Sequence, residues 1–121
     1  MNARLEHVNF TVSDPMRTAE LLCALFDWRI RWRGPAADGG NTVHVGTDED
    51  YLALYSDGTQ RDPADIGALN HVGVVVDDLE AAERRVSAAG LEPHSFCDYE
   101  PGRRFYFNDR DGVEYEVVSY A

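Results

Sequence analysis

His7, His71 and Glu116 are residue types that can hold a divalent ion, and they fall in three well-separated segments of the chain. Two neutral imidazoles and one carboxylate make the facial set that suits Fe(II). The same set accepts Mn(II), Ni(II), Co(II) or Zn(II), and it leaves up to three positions for water and substrate. Such chemistry calls for a substrate that chelates. Taken singly, each histidine reads more readily as a satisfied polar residue on a strand, and Glu116 as a solvated one. Their spacing alone is not specific.

Repetition is what groups them. Leu5-Glu6-His7-Val8 reappears as Leu69-Asn70-His71-Val72, and Val12 and Asp14 recur as Val76 and Asp78, all displaced by 64 positions. Each copy opens on an alternating apolar run, Val8, Phe10, Val12 and Val72, Val74, Val76, which predicts a strand with one face on a core. A helix follows in each copy. Ser13-Asp14-Pro15 and Asp77-Asp78 supply N-cap chemistry, and Ala19, Leu22, Cys23, Phe26 and later Leu79, Ala82, Val86 recur at helical spacing, with Gly90 closing the second helix. Three short extended runs come next in each half: Trp28 to Arg33, Thr42 to Gly46 and Tyr51 to Ser56, then Glu92 to Cys97, Arg104 to Asn108 and Val113 to Tyr120.

The prediction is therefore a single α+β domain over residues 1–121. It contains two tandem βαβββ modules, repeat 1 over residues 1–56 and repeat 2 over residues 68–121. Asp57 to Gly67, rich in Gly, Pro, Asp and Thr, is the expected connection, and Gly34 to Gly40 and Asp109 to Gly112 are expected hairpin loops.

Strand parity points the side chains. If Val8, Phe10 and Val12 face the helix, then His7, Asn9 and Thr11 face the other way, as do His71, Gly73 and Val75 in the second copy. In the last strand Tyr115 and Val117 are core-facing, which leaves Glu114, Glu116 and Val118 on the open face. His44, between Val43 and Val45, also falls there and is a candidate general base at neutral pH. By alternation with Phe105 and Phe107, Arg104 and Tyr106 join it. Arg104 is either a bidentate clamp for a carboxylate or phosphate, or a solvated or salt-bridged residue. The candidate catalytic side chains are thus Glu116, His44 and Tyr106, and the candidate substrate-binding ones Asn9, Tyr51, Tyr55 and Arg104. His94, following Pro93, reads as a surface residue.

The chain carries 22 Asp plus Glu against 11 Lys plus Arg, a net charge of −11 that repels phosphate backbones and anionic lipid surfaces. Nucleic acid and membranes are excluded as expected partners. No run approaches the roughly 18 apolar residues of a membrane span, so a cytoplasmic location is the expectation. Cys23 and Cys97 lack metal or redox spacing and are expected as reduced thiols.

Three stretches resemble the vicinal oxygen chelate superfamily of glyoxalases, extradiol dioxygenases, fosfomycin-resistance transferases and bleomycin-binding proteins. They are Leu5 to Val12, Leu69 to Asp78, and Phe105 to Gly112 followed by Glu116. The resemblance implies paired βαβββ modules curling into a cup around one divalent metal (Fe, Mn, Ni, Co or Zn), with the substrate bound through vicinal oxygens. It also implies a homodimer, because half-cups in this superfamily often pair across chains. In glyoxalase I a fourth, carboxylate ligand comes from the last strand of the first module, where this chain has Ala53. The remaining set of two histidines and one glutamate matches extradiol dioxygenases and the fosfomycin transferases, although Asn9 stands where the transferases have threonine.

Two functions from different classes follow: a metal-dependent lyase, isomerase or dioxygenase acting on a small dioxygenated metabolite, or a metal-free module that sequesters a small aromatic or drug-like ligand, as bleomycin-binding relatives do. A partner-binding protein that has lost its chemistry is a weaker third.

Overall fold

The computed structural model describes residues 1–36, 39–65, 67–99 and 102–121. Residues 37 and 38 of the expected first loop and residue 66 of the expected connection lie outside these. Two compact units emerge, Met1–Arg61 and Asp62–Ala121.

In the first unit, β1 (His7–Thr11) leads into α1 (Pro15–Phe26), then β2 (Arg29–Pro35), β3 (Asn41–Gly46) and β4 (Tyr51–Ser56). The helix starts where the Asp14 carboxylate accepts the Arg17 N–H and Pro15 presets the first turn. It stops at Asp27, whose left-handed φ of 58° ends the ladder. Thr18, Ala19, Leu22 and Leu25 are its buried stripe. The sheet order is β1-β4-β3-β2, with β1 parallel to β4 and the other pairs antiparallel. One face packs on α1 through Val43, Val45 and Leu54, each at most 2% exposed.

The second unit repeats the plan with β5 (His71–Val75), α2 (Leu79–Ala88), β6 (His94–Tyr99), β7 (Gly102–Asn108) and β8 (Glu114–Ser119), ordered β5-β8-β7-β6. Asp78 caps α2 by accepting the Ala81 N–H, and Leu79, Ala82 and Val86 are buried. Beneath α2 lie Phe105, Phe107, Tyr115 and Val117, all 0% exposed, with the Phe107 and Tyr115 rings stacked at 5.0 Å. The expected α+β class and paired βαβββ modules are both present.

Three expectations, at Val8, Gly34 and His94, are corrected. Val8 is exposed, because α1 lies over β2, β3 and β4 and does not reach the start of the edge strand β1, in which Phe10 alone is buried. The stretch expected as a loop from Gly34 continues as strand through Pro35. His94 is no loose surface residue: it opens β6 half-buried, with both ring nitrogens hydrogen-bonded. The segment after β4 is tied down by the Arg61 N–H donating to Ser13 Oγ at 2.8 Å. Both thiols are free of disulfides, and among the described residues no helix is long and apolar enough to cross a membrane.

Candidate functional site

On the face of the second sheet away from α2, register brings the expected residues together. Glu116 on β8 sits opposite Tyr106 on β7 and Gly73 on β5, and His71 pairs with Glu114 one step along. The Glu116 carboxylate is held twice: Tyr106 donates its hydroxyl to Oε2 at 2.7 Å, and Arg104 Nη1 donates to Oε1 at 3.1 Å. His71 Nε2 stands 3.7 Å from Oε2. Arg104 and Glu116 are largely shielded, with side chains 12% and 15% exposed, so their charge-assisted bond is little screened. Arg103, its neighbour, turns the other way to Glu80 on α2 at 2.6 Å, as alternation requires.

His94 extends this cluster. Its ring stacks against Tyr106 at 6.3 Å, and Nε2 meets Asn108 Oδ1 at 2.7 Å. Sequence reading missed it, since Pro93 suggested a turn while the ring's role depends on a cross-strand partner.

The first unit places the remaining candidates on its own open face. His7, Tyr51 and His44 form a row of rings, with centroids 4.9 Å apart from His7 to Tyr51 and 4.6 Å from Tyr51 to His44. Trp32 continues the row at 5.0 Å from His44, and Arg31 lies over the Tyr51 ring at 4.3 Å. Burial is the main cause that holds His44 below the ordinary histidine pKa, helped by the Arg31 guanidinium nearby, so it is neutral at pH 7. Tyr55 is half-buried, Asn9 exposed and Ala53 buried. Ala53 pairs with Asn9 and His44 as Glu116 pairs with Gly73 and Tyr106, so the alanine occupies in the first sheet the place of the glutamate in the second.

One feature recurs at both histidines. His7 Nδ1 donates to Glu6 Oε1 at 2.8 Å, and His71 Nδ1 to Asn70 Oδ1 at 2.9 Å. Both acceptors are oxygens, so in the neutral imidazole the proton sits on Nδ1 and the lone pair on Nε2, the tautomer a metal ligand needs. The hydrogen bond from His7 is also the largest cause of the lowered Glu6 pKa. Glu6 and Asn70 precede the two histidines at the repeat spacing, a signal that was present in the sequence but carried no assignment. Among the described residues no group of three or more His, Cys, Asp or Glu is gathered as an ion site.

Residues 4–117 match a family model described as the Glyoxalase/Bleomycin resistance protein/Dioxygenase superfamily. The fold is similar to that of a glyoxylase/bleomycin resistance protein/dioxygenase domain from Frankia sp. EAN1pec, with a TM-score of 0.81 at 22% identity over 98% of both chains. It is also similar to a fosfomycin resistance protein from Mesorhizobium loti, with a TM-score of 0.73 at 23% identity over 98% of this chain and 92% of that one. A fosfomycin resistance protein from Listeria monocytogenes, solved with Mn(II) and sulfate, gives a TM-score of 0.76 at 17% identity over 98% and 93% of the chains. At these identities the likeness is one of fold. No curated protein matches the chain significantly in sequence.

Proposed function

The chain belongs to the glyoxalase/bleomycin resistance protein/dioxygenase superfamily, and from that premise we propose that it is a metal-dependent enzyme. Its substrate is a small metabolite chelated through vicinal oxygens, and its chemistry is that of a lyase, isomerase or dioxygenase. The observation that carries this reading is the His71–Glu116 pair, with Nε2 and Oε2 3.7 Å apart. Donor atoms adjacent on an octahedral ion, each about 2.1 Å from it, stand about 3 Å apart. His71 and Glu116 would hold such an ion between them, and the Nδ1 bond behind His71 keeps Nε2 directed to it in the neutral form. His7, held in the same tautomer by Glu6, supplies the third donor. The fosfomycin resistance protein with Mn(II) supports a divalent ion of this class, drawn from Fe, Mn, Ni, Co and Zn.

Bound there, the ion supplies Lewis acidity to the substrate oxygens. The chain's own residues do the rest. Tyr106, already a donor to Glu116, offers a proton toward the same face, and Arg104 orients an anionic group by charge. His44, neutral at pH 7, accepts a proton. Asn9, Tyr51 and Tyr55 line the binding surface. The working form is a cytoplasmic homodimer in which His7 of one chain joins His71 and Glu116 of the other, with neither nucleic acid nor membrane as partner.

Elemental analysis of untagged protein tests this, with about one divalent ion per chain expected. His7→Ala and His71→Ala should each abolish uptake; if both bind metal like wild type, the ligand assignment fails. Mixing His7→Ala with Glu116→Ala chains should restore part of the uptake, and a strictly monomeric light-scattering profile refutes the dimer. A second reading, a metal-free binder of small molecules, is favoured by the row of rings in the first unit. It prevails if metal is neither carried nor taken up while aromatic ligands still bind.

A further inference from the structure

The edge strand β2 does not run evenly. Ile30 pairs with Val45, yet Trp32 pairs with His44, so Arg31 is an extra residue and the register slips there. In an even strand Ile30 and Trp32 would share a face, and a tryptophan would follow its isoleucine neighbour toward the helix. The bulge reverses this and aims the indole at the open face, a known use of such irregularities.

The indole is then given a seat. A Cβ on Gly34 would lie 2.7 Å from Trp32 Cζ2 and 2.9 Å from Cη2, so the far edge of the ring lies over Gly34, where any side chain would make it shift. Gly34 is not in a left-handed conformation, so its role here is space. His44 abuts the ring at 5.0 Å, and the side chain remains 48% exposed. A large apolar ring turned away from an available core, seated over a glycine and left half-exposed at the end of a row of rings, is arranged to stack on something planar.

We propose that Trp32 is a stacking platform for a small planar aromatic ligand, so that the substrate class bound on the open face of the first unit carries an aromatic or conjugated ring. This rests on the reading of that face as the substrate surface and is independent of the metal. Stacking on such a platform is worth about 1–3 kcal/mol by alanine substitution, or roughly 5- to 150-fold in affinity.

The test compares 2,3-dihydroxynaphthalene with cyclohexane-1,2-diol, which offers vicinal oxygens without the aromatic face. Binding is measured by calorimetry with and without a chelator. Trp32→Ala should weaken dihydroxynaphthalene binding at least about fivefold in chelator while leaving the aliphatic diol unchanged. Trp32→Phe should recover most of the loss. Gly34→Ala keeps the indole but lifts it, and should mimic Trp32→Ala. In a Trp28→Phe background, where Trp32 is the sole tryptophan, its fluorescence should shift on that lifting.

The inference is overturned if wild type has no measurable affinity for the naphthalene, or if Trp32→Ala and Gly34→Ala bind it like wild type. It is also overturned if Trp32→Ala changes only the association state, which would make the indole a protein contact. Failure of the metal reading looks different: no chain takes up ion, yet the Trp32 dependence persists in chelator.

Discussion

The two units share one plan and spend it differently. Thr42, His44, Ala53 and Tyr55 in the first occupy the register positions of Arg104, Tyr106, Glu116 and Val118 in the second. At these four places the second unit holds a cation, a phenol donor, a carboxylate bonded to both and an apolar valine. The first holds a small hydroxyl, a neutral imidazole, a methyl group and a phenol. Their turns differ likewise. The β3–β4 turn around Asp48–Asp50 is exposed, whereas Asp109 and Asp111 of the β7–β8 turn are buried. A duplicated scaffold thus fixes where side chains point while leaving free which unit carries charge and which carries rings.

Removing the second unit's donors should have the largest effect. In the proposed site a largely shielded carboxylate with two hydrogen bonds and an adjacent imidazole would contribute most of the attraction for a cation. His71→Ala and Glu116→Gln should therefore lower Mn(II) affinity at least about 100-fold by equilibrium dialysis. His44→Ala, on the ring-bearing unit, should change it less than about threefold. Equal losses from all three would erase the asymmetry.

The turns offer the next test. Burial raises the Asp109 carboxyl from 3.8 to about 6, against the N–H donors of Asp111 and Val113, which favour its charged form. Since the folded pKa lies above the unfolded one, the folded state binds the extra proton between pH 4 and 6. Stability therefore falls as pH rises through that window, by on the order of 2–3 kcal/mol. Asp109→Asn retains an oxygen for both N–H groups and should flatten the decline in urea-melt midpoints, whereas Asp50→Asn in the exposed turn should leave it within about 0.5 kcal/mol. A decline that persists in Asp109→Asn would place the titrating group elsewhere.

Much of this was legible in the sequence because the repeat aligns strands whose parity then follows. The open-face placement of His44, Arg104, Tyr106 and Glu116 depends only on side-chain alternation around clear core residues such as Phe105 and Val117. Trp32 was not legible, because parity across β2 breaks at a bulge that no local composition announces. Nor was the exposure of Val8, which depends on where a helix crosses a sheet. The closest structural echo between the copies also went unread: a Cβ on Gly40 or Gly102 would meet the carbonyl of Ser56 or Ser119 at 2.4 and 2.5 Å, so each β-hairpin needs glycine at the same place. Single glycines in a chain with ten of them gave no reason to pair these two.

The smallest effect expected comes from making the two units more alike. Ala53 stands where the second unit has Glu116, between Asn9 and His44 on the first sheet. It is 2% exposed, so a longer side chain must push past the neighbouring rings to reach the open face. Overpacking of this kind costs about 1–3 kcal/mol of stability. A carboxylate that emerges there adds an anionic donor to a site that has one, and Ala53→Glu should tighten Mn(II) binding about tenfold. Because an octahedral ion has only six places, the same change should obstruct a substrate that needs two adjacent positions. Loss of catechol binding to the metal-loaded variant, read by absorbance, would report that obstruction. Unchanged Mn(II) affinity in a variant with a native circular dichroism spectrum would mean that Ala53 does not face the ion. The likeness of the two registers would then extend to the backbone and not to the chemistry.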